Sequence, residues 1–161
     1  MSLSKKIAAA LDENTKAYVL PCTVTVEDSP NRLTLNLSAL DTVGLAFSTM
    51  EFANTSRSEW SSDALKEWGD RLSKRVTYLM EPLTVLEVND QGGEVQMRSQ
   101  SPTPRELERA YYEMRLFRQG NLRMERYVFD ETTRQRRHVP CQLTRETLER
   151  LADDIALSAA G

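Results

Sequence analysis

Arg32-Leu33-Thr34-Leu35-Asn36-Leu37-Ser38-Ala39 is the stretch that decides the fold. Apolar side chains fall at every second position and polar ones lie between them. That is the two-residue period of a strand with one buried and one wet face. The flanking segments repeat the pattern. In residues 18–26, Tyr18, Leu20, Cys22, Val24 and Val26 share one face. Asp28-Ser29-Pro30-Asn31, dense in turn formers, joins that stretch to the next. Beyond Asp41-Thr42 the apolar residues run Val43, Leu45, Phe47 and then change parity to Met50 and Phe52. A change of parity within a strand predicts a bulge, because one extra residue sends every later side chain to the opposite face.

Further along, the period changes. Leu65, Trp68, Leu72, Val76 and Leu79 recur every three or four residues, which predicts a core-facing helix capped by Ser61 or Ser62 and closed by Pro82. Gly69 inside this stripe marks a kink or a close contact with the sheet. Residues 2–13 predict a short helix that clusters Ile7, Ala8, Ala10 and Leu11. Thr144 caps a last one, with Leu143 and Leu148 placed as a hydrophobic staple and Leu148, Leu151, Ile155 and Leu157 as its buried stripe.

Between the second and third helices the strand pattern returns. Residues 83–89 and 94–99 flank Asp90-Gln91-Gly92-Gly93, a hairpin signal. Ser101-Pro102-Thr103-Pro104 reads as a turn or rigid spacer. Residues 105–109 favour helix, and strand is expected from about Ala110 onward. Gly120-Asn121 and Asp130-Glu131-Thr132-Thr133 read as turns, and residues 139–143 as a final extended stretch. Sequential strands joined by short turns imply antiparallel pairing. The expectation is an α+β domain over residues 1–161, with a meander-like antiparallel sheet of about six to eight strands and three helices packed on one face. The helix–meander–helix–meander–helix order is similar in outline to small acidic secretion chaperones. No motif accompanies that likeness, so no residue role follows from it.

The 161 residues are enough to bury a core without a metal or disulfide staple. Cys22 and Cys141 are too few for a secreted disulfide framework and read as buried free thiols. Lys5 and Lys6 precede the short apolar run Ile7-Ala8-Ala9-Ala10-Leu11, which stops at Asp12-Glu13 before reaching the length of an export signal. Nothing approaches a membrane span. The expected location is the cytoplasm.

No motif for catalysis emerges. His138 is the only histidine, and no nucleophile motif accompanies it. One histidine and two distant cysteines supply no metal-ligand spacing. Gly92-Gly93 lacks the Lys-Ser/Thr of a phosphate loop. No catalytic residue, metal or cofactor is therefore assigned, and the balance leans away from an enzyme.

Charge is the most informative feature. Residues 12–70 hold ten acidic and four basic residues, whereas residues 98–137 hold ten arginines, no lysine and six acidic residues. These arginines can pair within the fold or across a homodimer, since the guanidinium fork matches a carboxylate. They can bind an acidic protein, aided by Tyr111, Tyr112 and Tyr127. Or they can contact nucleic acid, which the net charge of −3 disfavours. The leading expectation is a non-enzymatic protein-binding, scaffold or chaperone-like domain, itself a homodimer, working through Arg123, Arg126, Tyr127, Arg134 and Arg136. Charge reversal at Arg134 and Arg136 should then weaken association while the melting temperature barely moves. The alternative is a small ligand-binding domain or enzyme with a pocket between sheet and helices.

Overall fold

A computed structural model of the chain describes residues 2–17, 19–79, 81–100 and 108–161. The elements run α1 (Leu3–Ala17), β1 (Cys22–Asp28), β2 (Asn31–Leu40), β3 (Gly44–Asn54), α2 (Ser62–Arg75), β4 (Leu83–Asn89), β5 (Glu94–Ser99), β6 (Glu108–Phe117), β7 (Asn121–Asp130), β8 (Gln135–Val139), β9 (Cys141–Thr144) and α3 (Arg145–Ala160). Among the described residues three helices thus accompany nine antiparallel strands, in the α+β arrangement expected. The ninth strand arises because Pro140, which has no N–H to give, divides the last extended stretch into β8 and β9.

The alternating pattern sets the core. Leu33 pairs with Phe52 and Leu35 with Met50 across β2 and β3. The same row continues through Met124, Met114 and Met97 on β7, β6 and β5. All of these side chains are buried. α1 packs on β1 and β2, α3 on β3 and β9, and α2 on β4, β5 and β6, and the helices also touch one another. Gly69 lets α2 approach the sheet closely. A Cβ there would lie 3.2 Å from Val85 Cγ2 and 3.4 Å from Met97 Sδ.

The other expectations divide. Ser61 caps α2 by accepting a hydrogen bond from Ala64 N, and Thr144 caps α3 by accepting one from Thr147 N. α2 ends at Arg75, earlier than Pro82 demands. The Val76 N–H closes the last turn onto Leu72 O, and Val76 and Leu79 remain buried after leaving the helix. Leu157 is half exposed, and Ala152, Ser158 and Ala159 complete the buried face of α3 instead. α1 runs four residues past Glu13, and β1 starts only after Pro21. Tyr18, the turn at residues 101–104 and the helix-favouring residues 105–107 lie outside the described residues.

The strand order is β1-β2-β3-β7-β6-β5-β4. β3 and β7 pair directly over residues 50–53 and 121–124 and then diverge. β9 pairs with β3 and β8 with β7, filling the gap that opens between them. The expected bulge sits at this fork. Asn36 pairs with Thr49 but Leu37 with Phe47, which leaves Ser48 as the extra residue. No helix among the described residues is long and apolar enough to cross a membrane.

Candidate functional site

No described helix packs on the outer face of the sheet. Toward β1 and β2 this face is neutral, with Thr23 bonded to Asn36 and Thr25 to Thr34 across the strands. Toward β5, β6, β7 and β8 it becomes a field of arginine, glutamate and tyrosine. Strand parity places Arg123, Glu125, Tyr127 and Phe129 outward on β7, facing Arg115, Glu113, Tyr111 and Arg109 on β6.

Two of those opposed pairs are like-charged, Arg123 with Arg115 and Glu125 with Glu113, which is unfavourable on its own. Neighbours compensate. Arg123 reaches Glu51 on β3 at 3.0 Å. Arg115 lies 3.5 Å from Glu94 and 3.3 Å from Glu113. His138 Nε2 is 3.4 Å from Glu125 and 2.7 Å from Ser48 O. A carbonyl only accepts, so Nε2 carries a proton and donates across the fork between β3 and β8.

Glu113 is the hub. Its carboxylate is only 2% exposed although it stands on the uncovered face. Arg136 donates to its Oε1 at 3.1 Å, Gln96 at 2.7 Å and Arg98 at 3.5 Å. Arg115 approaches Oε2. Burial works to raise its pKa, but Arg136 and Arg115 overcome that and hold the carboxyl below its ordinary value. Three guanidiniums therefore converge on one carboxylate. They are also stacked. Arg136 lies 3.9 Å from the Tyr127 ring centroid and Arg98 lies 4.4 Å from that of Tyr111, while Arg136 also donates to the Tyr111 hydroxyl.

The five residues singled out from the sequence do not form one surface. Arg123, Tyr127, Arg134 and Arg136 reach the uncovered face. Arg126 belongs to the opposite face, where it stacks on Tyr112 and donates to Glu81 at 3.5 Å. Glu81 accepts a second hydrogen bond from Ser99 Oγ, which itself accepts one from the Tyr112 N–H. Arg136 departs from its expected behaviour as a free surface cation. Its reversal would place a second carboxylate beside buried Glu113, so the fold as well as any association would suffer. Of the five, Arg134 is the most exposed, with 75% of its side chain open to solvent. Sequence reasoning missed Glu113 and gave Arg98 no individual role, and it named Tyr111 only as one of the aromatics among the arginines. The signal available was a lone glutamate on a strand with tyrosine and arginine two residues to either side.

The arginines thus pair within the chain, as the first of the three charge readings had it, and few large apolar groups are bare. Val19, Val43, Leu86 and Leu157 are exposed, and none of them belongs to the arginine field. At the turn between β7 and β8 the face opens into a cleft of about 650 Å³ on the uncovered side of the sheet, not between sheet and helices. Cys141 is buried beneath the sheet, its thiol pushed up to about 12 by desolvation, and Cys22 is half-buried; both are free. The described residues contain no cluster of three or more potential metal ligands. No protein-family model, curated protein or solved structure matches this chain.

Proposed function

We propose that this protein is a non-enzymatic binding domain that holds an acidic protein partner against the uncovered face of its sheet. The observation that supports it is the sharing of one carboxylate, Glu113, among Arg98, Arg115 and Arg136. Their positive charge is only partly compensated, and stacking on Tyr111 and Tyr127 fixes their orientation. Arginine and tyrosine already held in place by stacking lose little side-chain entropy when a partner docks. We place the protein in the cytoplasm, where two free thiols are stable.

The test is affinity capture from native cytosol with the wild type and with Arg123→Glu/Arg134→Glu, which changes two exposed arginines without touching Glu113. The reading requires acidic proteins retained by the wild type and lost by the variant. Identical captured sets would overturn it. A two-fold pair of copies is the second reading, because the face carries both signs and can meet its own rotated image with arginine against glutamate. Sedimentation equilibrium of the two proteins distinguishes it: a dimer of the wild type that dissociates in the variant supports self-association.

A further inference from the structure

The turn at residues 131–134 joins β7 to β8 and forms one wall of the cleft. Asp130 shapes it, accepting from the Thr132 N–H at 2.8 Å and from the Arg134 N–H through its own carbonyl at 2.8 Å. The turn ends with Arg134 in the left-handed region, at φ 60°. Glycine or asparagine takes that conformation with little penalty, whereas arginine is strained there. A side chain kept at a strained position points to a task for that side chain.

The remaining lining agrees. Arg98 and Arg109 join Arg134, with Tyr111 and Phe129 as apolar floor. Among the described residues, Glu131 is the only carboxylate lining the cleft, 2.7 Å from Arg109 and 3.8 Å from Arg134. It already sits where an oxyanion is welcome. Arg98 is left with a share of Glu113, and its Nε is buried with no hydrogen-bond partner among the described residues. Among the described residues the three guanidiniums have only Glu131 and a share of Glu113 as counter-charges, which leaves the cleft with excess positive charge. The cleft volume, about 650 Å³, is far larger than a bare ion needs and falls within the range of ligand sites.

We propose that this cleft receives a phosphate monoester dianion, carried by the acidic partner, with Arg98, Arg109 and Arg134 as its donors. This rests on the uncovered face being the working surface, and it names the partner's chemistry there. Arginine forks match phosphate oxygens bidentately. The ligand competes with Glu131 for the same two guanidiniums.

The test is calorimetric titration with four probes: an acidic peptide bearing one phosphoserine, the same peptide unphosphorylated, glycerol phosphate and inorganic phosphate. The phosphopeptide should bind at least about tenfold tighter than its unphosphorylated form. Arg134→Gly should abolish that preference while the melting temperature holds or rises, since glycine relieves the strained backbone. Glu131→Gln should tighten binding by removing the internal competitor. Equal affinity for the two peptides overturns the phosphate receptor while leaving the acidic-partner reading intact. If glycerol phosphate binds, is lost in Arg134→Gly, and neither peptide binds, the receptor stands and the protein-partner reading falls. Phosphate binding unchanged in Arg134→Gly overturns the site.

Discussion

Glu113 shows how one residue can act against its burial class. A carboxylate in an apolar site would be neutral, but here an amide and guanidiniums hydrogen-bond Oε1 and the Arg115 guanidinium stands beside Oε2. Removing it is therefore worse than its own contribution suggests, because three arginines lose their shared counter-charge. Glu113→Ala should lower stability by roughly 3–5 kcal/mol, the range for removing one partner of a buried ionic pair. Chemical denaturation checks it, and a loss smaller than that of an exposed pair such as Arg123 with Glu51 would refute the hub. From the sequence, Glu113 was one of 24 acidic residues, set apart only by Tyr111 and Arg115 two positions to either side. Its importance comes from Arg98 and Arg136, which are distant in the chain and brought together only by strand register.

At the scale of elements, the fork between β3 and β7 is the least regular feature. Two strands that pair at one end are parted at the other by β8 and β9. The Ser48 bulge turns β3 away, and His138 bridges to it across the gap. His138→Ala should cost about 1 kcal/mol, the worth of one partly exposed hydrogen bond. The loss should be local, with faster amide exchange in β8 than in β5 or β6. Uniform acceleration across the sheet would contradict the bridging role. The parity change from Phe47 to Met50 made the bulge legible in the sequence. The insertion of β8 and β9 was not, because local patterning shows that a segment is extended but not which edge it joins. The β7–β6 turn is similar. Gly120 was readable as a turn, but its strict requirement comes from packing: a Cβ there would lie 2.5 Å from Asn54 O.

For the whole molecule, titration sets the limits of stability. Glu113 has a folded pKa below its ordinary 4.5, so its contribution is complete above about 4.5 and is lost as pH falls through the depressed value. Cys141 is the opposite case. Its folded pKa is raised from 9.0 to about 12, so its share of stability is complete below 9 and lost as pH rises from 9 toward 12. Tyr78, Tyr112 and Tyr127 are raised from 10.0 chiefly by desolvation and add to the alkaline loss. Melting temperatures measured against pH should decline on both flanks. Glu113→Gln should start from a lower plateau and show a shallower acid decline, and an unchanged acid slope in that variant would argue against the depressed carboxyl.

Residue order alone made most elements, the caps of α2 and α3 and the α+β class readable, because periodicity and capping are local properties of the chain. It also determined that arginine concentrates in the second half. What those arginines touch follows from the assembled sheet alone. Four successive strands, β5 to β8, must align in register before Glu113 meets three guanidiniums or Arg134 faces Arg98 and Arg109. Coulomb attraction depends on distance in space, and register and sheet order fix that distance without leaving a local mark.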